Sequence, residues 1–127
     1  MNMMSRLALG LATLTLGLAA TAGEVPFDQK TFDDLRAAGR PVVLHVHAAW
    51  CDVCRKQAEI ADRLADQPEF KALTVMRADY DADKAVQAQL KIAHRSTFVA
   101  FKGADEVARS IGDTHPESIA ALMRKAQ

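Results

Sequence analysis

Val42-Val43-Leu44-His45-Val46 constrains the fold more than any other stretch of the chain. It is rich in β-branched residues and apolar on both faces. Such a run suits a strand covered above and below, as in the centre of a parallel sheet with helices on each side. Shortly afterwards the period changes. From Asp52 to Ala65, Val53, Gln57, Ile60, Ala61 and Leu64 fall on one helical face, apolar except at Gln57. At the junction stands Trp50-Cys51-Asp52-Val53-Cys54, which holds the chain's one tryptophan and both of its cysteines.

The remaining elements repeat this alternation. Phe27 to Ala38 opens with a turn-forming Asp28, carries Phe32 and Leu35 at helical spacing, and is stopped by Gly39 and Pro41. Leu73 to Ala78 reads as a second buried strand and Asp83 to Leu90 as a short helix. Thr97 to Phe101 and Val107 to Ile111 read as strands joined tightly through Lys102-Gly103-Ala104-Asp105. Pro116 opens a last helix to about Ala126. Helices alternating with strands imply a parallel portion, and the hairpin adds an antiparallel edge. The expected fold class is α/β, a mixed sheet flanked by helices.

The N-terminus reads as a secretory signal over residues 1–22. A short segment with one positive side chain, Arg6, precedes an apolar stretch from Leu7 to Leu18, and Ala20-Thr21-Ala22 is a small-x-small cleavage site. The apolar stretch falls short of the roughly 20 residues needed to span a bilayer. Cleavage after Ala22 leaves one domain over residues 23–127 and a periplasmic or secreted location. The whole chain balances 16 basic against 16 acidic side chains, and losing Arg6 leaves one acid in excess. So even a balance, with acids and bases interspersed, gives no electrostatic reason to expect nucleic acid or an acidic membrane surface.

Export changes what the cysteines can be, because disulfides persist in oxidising compartments. As a staple the pair is weak: closing so short a ring contributes only about 2 kcal/mol in the chain-entropy picture. As a metal clip it brings two thiolates, with His45 or His47 as further donors. Structural zinc wants four ligands, whereas Cu(I) accepts two soft thiolates. As a reactive centre it is well placed. The first turn of a helix offers unpaired N–H groups and a partial positive charge, which favour the thiolate form of Cys51. Cys54, three residues on, returns to the same face and can resolve a mixed disulfide. Trp50 either shields the sulfur and offers a flat apolar surface to a partner, or packs into the core.

"AAWCDVC" after a buried strand, with "STFVAFKG" and "SIGDTH" downstream, resembles the thioredoxin family, and the likeness runs from Val25 to Ala126. The resemblance implies the thioredoxin fold and thiol–disulfide oxidoreductase activity that needs no cofactor beyond the cysteine pair. Cys51 would attack and Cys54 resolve, while Trp50, Asp52, Ser96, Thr97 and Gly112 would border the groove that receives client proteins. The departures are specific. Where thioredoxins have a cis proline before the strand threonine, this chain has Ser96. A non-proline cis bond costs about 2.5–4 kcal/mol, so Arg95–Ser96 is expected to be trans. Ser96 also restores an N–H and adds a hydroxyl facing the cysteines. The family's buried acid corresponds to His45 and its lysine to Val75, so acid and cation are both expected to be missing, with His45 accepting the Cys54 proton instead. A bonded core histidine is the alternative there. His47 is expected to be structural, and His94 and His115 to be loop and helix-start residues. Glu59 replaces the family's helix proline, which predicts a straighter helix.

Asp52 places a negative charge beside the attacking sulfur. A less favoured thiolate makes the reduced form less favoured, which predicts a reductant. The sequence reading is therefore an exported, monomeric protein-disulfide reductase acting on oxidised clients. A membrane electron transporter would recharge it, since an oxidising compartment offers no soluble reducing pool. A disulfide oxidase or isomerase, and a Cu(I)- or Zn-binding module, are the alternatives.

Overall fold

A computed structural model describes residues 23–127; the expected leader, residues 1–22, lies outside the described residues. The elements run β1 (Val25–Pro26), α1 (Gln29–Ala37), β2 (Pro41–His47), α2 (Asp52–Ala65), a short 3-10 turn (Pro68–Phe70), β3 (Thr74–Asp79), α3 (Lys84–Gln89), β4 (Thr97–Lys102), β5 (Asp105–Ile111) and α4 (Pro116–Lys125). They form a five-stranded sheet in the order β1-β3-β2-β4-β5. Strands β1, β3 and β2 are parallel, and β4 and β5 run antiparallel to β2. This is the expected α/β arrangement, with the apolar run in the middle of the sheet.

Alternation along β2 divides the core in two. Val43 joins Val75, Phe98 and Ala100 beneath Ile60, Ala61 and Leu64 of α2 and Ile119 and Met123 of α4. Val42, Leu44 and Val46 turn the other way, joining Met76, Val99 and Phe101 against Phe32 of α1 and Val86 of α3. A strand buried on both faces has no place for water, which is why its run is apolar at successive positions. Replacing Ile119, fully buried between α4 and the sheet, with valine removes one methylene group. It is expected to lower stability by about 1 kcal/mol, read as a lower urea midpoint at unchanged slope.

One element was not expected. β1 is two residues long and contains Pro26, so it carries neither the length nor the composition of a strand. It docks beside β3 with Val25 opposite Met76 and Pro26 opposite Arg77. An edge strand tolerates a missing N–H. The helix expected from Phe27 begins at Gln29, because the Asp28 side chain accepts a hydrogen bond from the Thr31 N–H and so caps it. Docking β1 brings Glu24 against the centre of the sheet, and this short strand thereby shapes the site.

Candidate active site

The site forms where β2 gives way to α2. Cys51 has extended backbone (φ −98°, ψ 113°) and is the N-cap of α2, its sulfur accepting the Cys54 N–H at 3.2 Å. Sγ thus fills the capping role usually taken by an oxygen, at the end of the helix where negative charge is stabilised. Cys51 and Cys54 are joined as a disulfide, with Cα atoms 5.2 Å apart. Cys51 is 6% exposed and Cys54 0%. Of the two, only Cys51 keeps any contact with solvent.

Ser96 closes the pocket from β4's approach. Its peptide bond to Arg95 is trans, there being no cis bond among the described residues, and its φ is +61°. A non-glycine residue in that region is held there by its surroundings. The holding groups are clear: the Ser96 N–H donates to the Val46 carbonyl at 2.9 Å, and its own carbonyl accepts from the Gly112 N–H at 2.8 Å. Gln57 Nε2 donates to the same carbonyl at 3.1 Å. Gly112, with φ +71°, can take the backbone turn that aims its N–H there. The hydroxyl oxygen stands 3.2 Å from Cys54 Sγ and 3.4 Å from Cys51 Sγ. Pairing of clients with the backbone of Ser96 itself meets an obstacle, since both its polar groups already have partners. Thr97 is buried and its hydroxyl donates away from the sulfurs, to the His94 carbonyl at 2.7 Å.

His45 is fully buried and stacked on Phe98, ring centroids 4.3 Å apart. Its Nδ1 lies 2.6 Å from Glu24 Oε1 and its Nε2 3.0 Å from Gln57 Oε1. Both ring nitrogens are therefore taken, and no hydrogen bond links His45 to Cys54. The expectation that acid and cation are both missing is corrected. Glu24 supplies a carboxylate whose side chain is 1% exposed, and Arg77 Nε binds its other oxygen. The substitution is positional: in the parallel register Arg77 lies opposite His45, two residues beyond Val75. Burial alone would raise the Glu24 carboxyl, but the hydrogen bond and charge of His45, with Arg77, hold it below the ordinary glutamate range. Burial, reinforced by Arg77 and His45 and opposed by Glu24 and Asp79, pushes the His47 imidazole below its ordinary value.

Trp50 is 58% exposed, so core packing is excluded for it. Its indole N–H donates to Asp81 Oδ2 at 2.8 Å, its ring meets Tyr80 edge-on, and the Arg95 guanidinium lies 4.9 Å above it. Val53 and Ile111 are also exposed, extending an apolar rim around the disulfide. Asp52 points to solvent and pairs with Arg55, which offsets part of its charge. Among the described residues, no group of three or more His, Cys, Asp or Glu side chains is placed to hold a metal ion.

A family model described as Thioredoxin matches residues 24–125. The chain belongs to the thioredoxin family. The thioredoxin of Chlamydia muridarum is 30% identical over 99 residues, covering 78% of this chain and 94% of that protein. The bifunctional thioredoxin reductase/thioredoxin of Mycobacterium leprae is 27% identical over 97 residues, 76% of this chain but only 20% of that longer protein. Among solved structures, Trxlp from Edwardsiella tarda superposes with a TM-score of 0.75 at 33% identity, covering 77% of this chain and 95% of that one. With its Cys51–Cys54 pair, this thioredoxin-family member is a thiol–disulfide oxidoreductase.

The structure brings together Cys51, Cys54, Ser96 and Gly112, with Trp50 and Asp52 on the rim. Glu24 and Arg77 were missed in the sequence and Gln57 was noted without a role. Gln57 had a signal, being the one polar residue on the apolar face of its helix, one turn after Cys54. Glu24 had none, because only the docking of β1 brings it near.

Proposed function

We propose that this protein is an exported protein-disulfide reductase. Cys51 attacks a client disulfide, forming a mixed disulfide and releasing one client sulfur. Cys54 then attacks Cys51, freeing the client as a dithiol and leaving the Cys51–Cys54 disulfide. The observation that carries the reading is Cys51 Sγ seated at the N-terminus of α2, accepting the Cys54 N–H and reachable from solvent while Cys54 is sealed. Clients dock against Trp50, Asp52 and the loops ending at Ser96–Thr97 and Gly112, with apolar contact on Trp50, Val53 and Ile111. Export rests on the leader pattern of residues 1–22, whose cleavage after Ala22 retains Glu24. In that oxidising compartment a membrane electron transporter returns the pair to the dithiol form, and the protein acts as a monomer. His45 acts here through position and not by proton transfer: its ring holds Gln57 Oε1, and the Gln57 amide N–H holds the Ser96 carbonyl.

Reduction rather than oxidation rests on Asp52, whose charge beside Cys51 disfavours the thiolate. The partial offset by Arg55 keeps an oxidase or isomerase as the second reading. Equilibration with glutathione decides between them. A potential of about −200 mV or lower is expected, and one near about −120 mV would place the protein among oxidases. Changing Cys54 to alanine is expected to halt the cycle at the mixed disulfide, so that clients co-purify through a bond that dithiothreitol releases. Recovery of no such adduct from the exported fraction would overturn the reading.

A further inference from the structure

We propose that the Ser96 hydroxyl is the hydrogen bond that assigns charge and proton within the reduced pair: it donates to the Cys51 thiolate while accepting the Cys54 S–H. The inference rests on the thiol–disulfide reading above and deepens it by naming what makes Cys51 the nucleophile.

Three observations carry it. Ser96 Oγ lies within hydrogen-bonding distance of both sulfurs, 3.4 Å from Cys51 and 3.2 Å from Cys54. A hydroxyl has one proton to give and lone pairs to receive, so it can donate to a thiolate and accept from a thiol at the same time. Its oxygen has no other hydrogen-bond partner among the described residues, and Ser96 is 7% exposed. Water therefore does not compete for it freely, and a hydrogen bond to an ion in such a place is stronger than a neutral one. Finally, the residue is kept at φ +61° by bonds to Val46, Gly112 and Gln57. Three elements hold an unfavourable backbone conformation whose visible result is the aim of this hydroxyl.

No other side chain offers the same service. The charged and titratable groups next to the pair are Asp52 and Arg55 on α2, Tyr80 and Asp81 after β3, and His94 and Arg95 before Ser96. None of them hydrogen-bonds to either sulfur; Asp52 is spent on Arg55, Asp81 on Trp50, and Arg95 lies over the Trp50 ring. The remaining donor to Cys51 is the Cys54 N–H. The thiolate thus has one backbone donor and one hydroxyl donor, and Cys54 keeps its proton on the serine side. Once Cys51 is bonded to a client the hydroxyl has no thiolate to serve, and its oxygen remains beside Cys54, where the next proton must leave.

The test is the pH dependence of iodoacetamide alkylation of the reduced full chain, read at Cys51 by mass, for wild type, Ser96→Ala and Ser96→Gly. Alanine removes the hydroxyl. Glycine removes it too and also relieves the left-handed backbone, so a shift common to both belongs to the hydroxyl and not to strain. Both variants are expected to move the alkylation midpoint upward by about one pH unit, so that Cys51 reacts about tenfold more slowly below it. The high-pH plateau rate, which reports access to the sulfur, is expected to stay at the wild-type value. A wild-type midpoint in either variant overturns the inference, as does a loss confined to the plateau. Insulin reduction by the wild-type chain is read in parallel. Its failure would overturn the functional reading, whereas intact insulin reduction with unshifted midpoints overturns only the part given to Ser96.

Discussion

Cys51→Ser is expected to abolish insulin reduction, with a fall of at least about a thousandfold, while leaving the reduced protein as stable as wild type or slightly more so. The two halves of this expectation come from one position. Cys51 is the N-cap of α2, where its sulfur takes the Cys54 N–H, and it is the nucleophile in the proposed cycle. A serine oxygen caps a helix well, so the first turn stays satisfied. The same oxygen does not ionise near neutral pH, and the alkoxide equivalent of the thiolate is not formed there. Comparison must be made with the reduced wild type, because the variant also lacks the disulfide, worth about 2 kcal/mol for so short a ring. Turnover and a thermal melt on the same sample check both parts. A variant that lost activity together with its fold would contradict the separation of capping from chemistry, and one that retained activity would remove Cys51 from the reaction.

Glu24→Ala is expected to destabilise the protein by about 3 kcal/mol, lowering the melting temperature by on the order of 10–20 °C. The buried carboxylate is the hub of the interior polar chain: one oxygen faces His45 Nδ1 and the other Arg77 Nε. Its removal leaves the fully buried His45 without its Nδ1 partner and Arg77 with only the looser Asp62 carboxylate, 4.0 Å away. Arg77 is 36% exposed on its side chain and can turn to water, which keeps the loss at the low end of what breaking a buried pair costs. The pH dependence has a definite sign. Glu24 is held below its unfolded value, so its contribution is complete above about pH 4.3 and is lost as the pH falls through the folded value. Glu24→Gln removes that titration. Its urea midpoint is therefore expected to fall less steeply with acid than that of the wild type. Parallel acid limbs for the two proteins, or a melting temperature within a degree or two for Glu24→Ala, would contradict this account of the interior.

How legible these features were in the sequence follows the range of the forces involved. The central strand, α2 and the junction cysteines could be read directly, because periodicity and helix-start chemistry act over a few neighbouring residues. Phe32, Val43, Ile60 and Val99 all lie buried where the apolar pattern requires. Ser96 was legible as a hydroxyl near the cysteines, but its left-handed backbone was not, since that depends on bonds to Val46 of β2 and to Gly112 just after β5. His45 was recognisable as a histidine in an apolar run, and its partners were not. Replacing an acid and a lysine with histidine and valine looked like removal of the buried charges. In the folded chain Glu24 and Arg77 supply charges from other positions.

The residues in order were sufficient for the α/β class, the thioredoxin likeness and the choice of Cys51 and Cys54 as the reacting pair. Each depends on local spacing, and local spacing survives in a linear string. Only the tertiary structure decided what surrounds the sulfurs: the two-residue β1, the Glu24–His45–Gln57 chain, the exposure of Trp50 and the aim of the Ser96 hydroxyl. These arise when segments as distant as residues 24, 45, 57 and 96 are packed into one low-dielectric space. There an unpaired polar group is expensive enough to dictate its neighbours.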